Sequence, residues 1–164
     1  MKAYKRPLLL LLVATLFVSC STDNMDDELN RYNDEIVIPE AKTIEIEILE
    51  LLNNYRISQG LAPLNAMRII KSQTFNHTDY MIERNEVSHD YFFQRKNFLT
   101  ANAGAIKVSE NVAYGYTSAQ AVVNAWLNSD GHRNIIEGDF TDFEVSAELD
   151  ENGHWYYTNI FLKK

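Results

Sequence analysis

The sequence predicts an α+β domain with an antiparallel sheet, on three observations. Apolar residues recur at helical spacing through the front of the domain, they alternate one by one near its end, and no strand–helix–strand cycle joins the two regimes. The domain begins near Thr43, where Ile44, Ile48, Leu51, Leu52 and Tyr55 share a helical stripe that Gly60 and Pro63 bring to a stop. A second helix, from about Ala66 to Glu83, sets Met67, Ile70, Thr74, His77 and Met81 on one face. The third opens on Thr117-Ser118-Ala119-Gln120, a capping-box pattern, turns Val122, Val123 and Trp126 inward, and ends at Asp130-Gly131. A short helical turn follows near Asn134 to Glu137. The period then drops to two: Phe143, Val145, Ala147 and Leu149 line one face of a strand, Asn152-Gly153 makes the turn, and Trp155 to Leu162 returns as the second strand of a hairpin.

The residues ahead of this domain have a different character. Lys2, Lys5 and Arg6 precede an apolar run from Leu8 to Val18, the order of a secretory signal over residues 1–19. That run is shorter than the roughly 20 apolar residues needed to cross about 30 Å of hydrocarbon, so it reads as cleaved rather than spanning. Phe17-Val18-Ser19-Cys20 resembles the bacterial lipobox, which makes Cys20 the expected attachment point of acyl chains, palmitate among them, and puts the rest of the chain outside the cytoplasm. The bland alternative is an ordinary signal peptide with a cysteine at its end by chance. From Cys20 to residue 42 the chain is polar and acidic, with Asp23, Asp26, Asp27, Glu28, Asp34 and Glu35 and no sustained apolar period before Ile36-Val37-Ile38, and it reads as a tether whose like charges extend it.

Composition narrows the function classes. The net charge of −8 becomes more negative once the three basic residues of the signal are gone, so nucleic acid is not an expected partner and membrane contact is left to the lipid. Cys20 is the only cysteine, which leaves no thiol for a disulfide, a thiolate metal site or a cysteine nucleophile.

Three segments place a titratable side chain among small polar neighbours and read as loops: Val87-Ser88-His89-Asp90, Val108-Ser109-Glu110-Asn111-Val112-Ala113, and Asn128-Ser129-Asp130-Gly131-His132-Arg133-Asn134. Spacing alone does not force two histidines and a carboxylate so far apart into one site. Taken in order, however, these segments resemble those of the CAP superfamily, the cysteine-rich secretory, antigen 5 and pathogenesis-related 1 proteins, and its bacterial branch in particular. The likeness starts at Leu51-Leu52-Asn53-Asn54-Tyr55-Arg56 and Gly60-Leu61-Ala62-Pro63-Leu64, and runs through Ser88-His89 and Glu110-Asn111-Val112-Ala113-Tyr114-Gly115. Its most specific part is the block from Ala125-Trp126 to Gly131-His132-Arg133-Asn134-Ile135, and Tyr156 to Phe161 resembles the closing strand.

The resemblance covers about residues 43–164 and implies an α-β-α sandwich, a small antiparallel sheet between helical layers. It implies a cleft of two histidines and two glutamates, onto which His89, Glu110 and His132 match, while Ser129 stands where the second glutamate belongs. Disulfides are absent, as in bacterial members, and Glu144 and Ser146 replace expected strand glycines. The metal reading that follows is weak zinc binding by His89 and His132, with Glu110 as ligand or orienting group. Against it stands a structural polar network of the same three residues. Asn111 is expected to tie backbone groups together, Trp126 to lie in the core, Gly131 to end the third helix so that His132 faces the cleft, and His77 to be a hydrogen-bonded core histidine. The expected function is a lipid-anchored binding or interaction module of the cell envelope, at the outer membrane or cell surface, with a lipid, glycan or protein in the cleft. A metal-assisted hydrolase with Glu110 as base, and a structural protein with a vestigial cleft, are the alternatives.

Overall fold

The computed structural model describes residues 36–164; the expected signal peptide, Cys20 and the expected tether up to residue 35 lie outside the described residues. Helix α1 (Thr43–Ser58) leads into the two-residue strand β1 (Asn65–Ala66), then α2 (Arg68–Arg84), α3 (Phe92–Ala103), β2 (Lys107–Tyr114), α4 (Ala119–Leu127), α5 (Asp130–Ile136), β3 (Asp142–Leu149) and β4 (Trp155–Lys163). The strands lie in the order β1-β3-β4-β2. The hairpin β3–β4 and the pair β2–β4 are antiparallel, and β1 adds one short parallel pairing to β3, so the small sheet is mixed rather than purely antiparallel.

Alternation along each strand sends side chains to two buried faces. On one face Phe143, Val145, Ala147, Tyr157 and Phe161 pack against Ile48 and Leu52 of α1, Val122, Val123 and Trp126 of α4, and Ile136 of α5. On the other, Val108, Ile160 and Leu162 meet Ile70 of α2 and Leu99 of α3, with Met81, Val112 and Tyr156 as a smaller cluster beside them. Helices therefore cover both faces, and the fold is an α-β-α sandwich.

Both sheet edges receive hydrogen bonds from side chains of the helices. Beyond Phe143, β3 has no strand outside it among the described residues. There Glu45 of α1 accepts from the Ala147 N–H at 2.8 Å and Lys71 of α2 donates to the Val145 carbonyl at 2.8 Å. The two side chains also pair with each other at 2.6 Å. On the opposite edge, the Gly115 N–H bonds back to the Trp155 carbonyl, which sets the phase of the β2–β4 ladder. Even-numbered residues of β2 then turn their backbone groups outward. At Val112 the outward carbonyl takes the Trp126 indole N–H at 3.1 Å.

Several elements differ from the sequence reading. Helix α3 was not expected, because its inward stripe carries Arg95, a fully buried charge that reads as a surface residue. The segment around Glu110 is strand β2 instead of a loop. The third helix does not run to Gly131. It stops at Leu127, Ser129 turns extended (φ −103°, ψ 117°), and a new helix starts at Asp130. The Asn-Ser-Asp run competes with the helical ladder for the same backbone groups. Gly131 thus sits inside α5 and ends nothing. Helix α4 is capped by Ser118, whose hydroxyl accepts from the Ala121 N–H, one residue later than a box built on Thr117 and Gln120 requires.

Candidate functional site

His89 stands on the loop between α2 and α3, which is anchored from several directions. His77 of α2, fully buried, lies with its Nε2 2.9 Å from the Ser88 carbonyl, to which it donates. Tyr80 donates to the Asp90 carboxylate at 3.0 Å and packs edge-on against Tyr91, ring centroids 5.3 Å apart. Arg95 Nη1 donates to the Asp90 carbonyl at 2.7 Å. Tyr91 itself is held at φ +57°, a left-handed conformation uncommon for a bulky residue.

Glu110 meets this loop from β2, on the sheet face that α2 and α3 cover. Its Oε1 accepts from His89 Nδ1 at 2.9 Å and from Arg95 Nη2 at 2.8 Å, while Oε2 accepts from Arg95 Nε at 2.8 Å. Burial opposes ionisation of Glu110, but the His89 hydrogen bond and the Arg95 charge outweigh it and hold the carboxyl below its usual range. Burial, reinforced by the Arg95 charge and only partly offset by Glu110, pushes His77 down to about 4, so His77 is neutral at pH 7. The imidazole of His89 is by contrast about half exposed, at 54% of its side-chain surface.

His132 approaches from the other side. Asn111 follows Glu110 on β2 and so points to the opposite face, where its Nδ2 donates to the His132 carbonyl at 3.2 Å. Burial, and then the nearby His89 charge, lower the His132 pKa. Its Nδ1 is buried with no hydrogen-bond partner among the described residues. Ser129 is the N-cap position of α5 without a side-chain capping bond. The structure thus joins His89 to Glu110 directly and brings His132 within electrostatic reach of His89. Trp126 is core, 1% exposed, and Asn111 ties β2 to α5. Arg95 was missed; the signal for it was an arginine at helical spacing between Phe92 and Leu99.

Between the start of α3 and α5, along the outer edge of β2, lies a cleft of about 570 Å³. His89 and Glu110 share its lining with apolar Phe92, Phe93, Val108 and Ile135, and Phe93 is 72% exposed. A cation held by His89, His132 and Glu110 together fits this arrangement badly. Glu110 has both oxygens engaged by a buried guanidinium, and among the described residues no three His, Cys, Asp or Glu side chains gather at metal-holding distance.

The family model of the cysteine-rich secretory proteins, CAP, matches residues 49–161, which includes α2, α3, the His89 loop, β1 to β3 and most of β4. The chain belongs to the CAP family. Among its relatives is an uncharacterized membrane protein of Bacillus subtilis, YlbC, 31% identical over 81% of this chain and 41% of its own length. Another is the uncharacterized protein YkwD of the same organism, 33% identical over 62% of this chain and again 41% of its own. The chain therefore spans about two fifths of the length of these curated relatives. An extracellular SCP-domain protein of Bacillus anthracis superposes with a TM-score of 0.63 at 26% identity, over 73% of this chain and 40% of that one. An outer surface protein of Borrelia burgdorferi shares the fold, with a TM-score of 0.65 at 19% identity over 71% of this chain and 90% of that one. The Bacillus anthracis neighbour is described as extracellular, and no helix among the described residues of this chain is long and apolar enough to cross a membrane.

Proposed function

We propose that this CAP domain is anchored outside the cytoplasm by lipid on Cys20 and acts as a binding module, its ligand entering the cleft beside β2. The observation that carries the reading is the half-exposed His89 imidazole, fixed through Nδ1 to a buried carboxylate and set in a mostly apolar cleft. A buried Glu110–Arg95 pair that needed only to hold the fold would not require an exposed imidazole at its end. Pockets for small molecules commonly combine apolar walls with few, well-oriented polar groups, which is the composition found here. The extracellular Bacillus anthracis neighbour supports the location, and the sequence around Cys20 supports the anchor.

The test is native mass spectrometry of the mature protein recovered from its own host, beside a His89→Ala variant. A small molecule retained by the unmodified protein and lost from the variant is the expected result. Recovery of both proteins without any adduct, under conditions that preserve the fold, would count against the binding reading. Glu110 is not assigned the part of a general base, since three hydrogen bonds from His89 and Arg95 occupy its oxygens.

A further inference from the structure

We propose that Arg95 is a positioning residue that decides which ring nitrogen His89 presents to the cleft. Arg95 is fully buried, and its guanidinium makes a fork onto both oxygens of Glu110 while its remaining terminal nitrogen donates to the Asp90 carbonyl, one residue from His89. It therefore ties α3, β2 and the His89 loop to one another at a single group.

The consequence for His89 follows from donor and acceptor counting. Arginine only donates, so the carboxylate bound in its fork is held as an anion with acceptor positions alone. The imidazole nitrogen facing that anion at 2.9 Å must carry the proton, because two acceptors at that distance repel. Neutral His89 is thereby fixed as the Nδ1–H tautomer, and the bare Nε2 lone pair is its second polar atom. The cleft then offers an acceptor flanked by Phe92, Phe93 and Ile135. Its complement is a molecule with an apolar body and one hydroxyl or N–H group that donates to Nε2. A ligand whose only polar group is an acceptor, such as an ether or tertiary amide, has no partner on neutral His89. Without the guanidinium, nothing holds the carboxylate in the imidazole plane or supplies its counter-charge, and the selection of one tautomer is lost.

The ligand class rests on the binding reading given above, but the tautomer is a property of the protein alone, so the two ideas can fail separately. The experiment is long-range proton–nitrogen correlation spectroscopy of the full chain with labelled histidines, at about pH 8, above the ordinary histidine range. His89 is assigned by comparison with His89→Gln. The unmodified chain should show His89 as a single Nδ1–H tautomer, Arg95→Met a mixture of both, and Arg95→Lys partial retention, since lysine keeps the charge without the fork. His77 serves as the control: its Nε2–H form, set by the Ser88 carbonyl, should persist wherever the fold persists. An Nε2–H tautomer for His89 in the unmodified chain overturns the proposal. So does an unchanged Nδ1–H signature in either variant that retains the His77 signal. If Arg95→Met loses the His77 signal, the lysine variant and the unmodified chain decide.

Discussion

At the scale of single residues, the site is governed by how its buried titratable groups share charge. His77 is neutral in the folded protein with its pKa lowered to about 4, against the ordinary value of 6.5. A base with a depressed folded pKa binds fewer protons folded than unfolded, so its contribution is full above pH 6.5 and declines as the pH falls toward 4. Burial sets this first and the Arg95 charge from α3 adds to it, while Glu110 from β2 and the Ser88 carbonyl of the loop oppose it. Glu110 has a lowered pKa, so its stabilisation is present above the ordinary carboxyl value and is lost below it, steepening the decline at lower pH. The expected outcome is a melting temperature that falls between pH 6.5 and 4. His77→Gln, which keeps a donor for Ser88, should flatten that fall by an amount on the order of 3 kcal/mol. An identical pH profile in the variant would show that the loss arises elsewhere. The sequence made His89, Glu110 and His132 legible because the family pattern labels them. Arg95 stayed hidden because a charged side chain in a helix is ordinarily solvated, and only tertiary packing reveals that this one is enclosed.

At the scale of elements, helices α1 and α2 and the closing hairpin were legible because their apolar periods are regular. Strand β2 and helix α3 were not. In β2 both faces are buried, and the inward positions of one face include Glu110, so the alternation of apolar and polar residues that marks a half-exposed strand is missing. The same difficulty hides Glu45 and Lys71, which are 1% and 4% exposed yet carry opposite charges. Removing one partner of a buried ion pair leaves the other uncompensated, typically at about 3–5 kcal/mol. Lys71→Met should therefore lower stability by up to about that amount, since it leaves the Glu45 carboxylate with only the more distant Lys42 ammonium at 3.8 Å and frees the Val145 carbonyl. Adding Glu45→Gln, which retains an acceptor for the Ala147 N–H, should recover part of the loss. Chemical denaturation of the two variants checks this, and a double variant no more stable than the single one would mean that charge pairing is not what matters at that edge.

At the scale of the whole molecule, the α+β class followed from the order of periodicities, whereas the sandwich and the cleft were legible only through the family resemblance, because nothing local dictates which sheet edge meets which helix. The proposed tether and anchor rest on the sequence around Cys20. Cys20→Ala should release the protein from membranes, as no other cysteine can accept lipid; equal retention after a carbonate wash would exclude the anchor. The domain boundary shows its own contacts: the Lys42 N–H donates to Glu45 at 2.8 Å at the start of α1, and its ammonium pairs with Glu148. Deleting residues 21–35, short of those contacts, should shift the melting temperature by less than about 5 °C, the scale set by roughly 1 kcal/mol in a domain of this size. The engaged edge groups of the sheet take on another meaning under the proposed lipid anchor. Confinement to two dimensions raises the rate at which neighbours collide, and an open strand edge is a template for pairing between chains. Glu45 and Lys71 already engage the Ala147 N–H and the Val145 carbonyl on one edge, and Trp126 engages the Val112 carbonyl on the other. On the proposed lipid anchor, those engaged groups would disfavour strand pairing between neighbours at these positions.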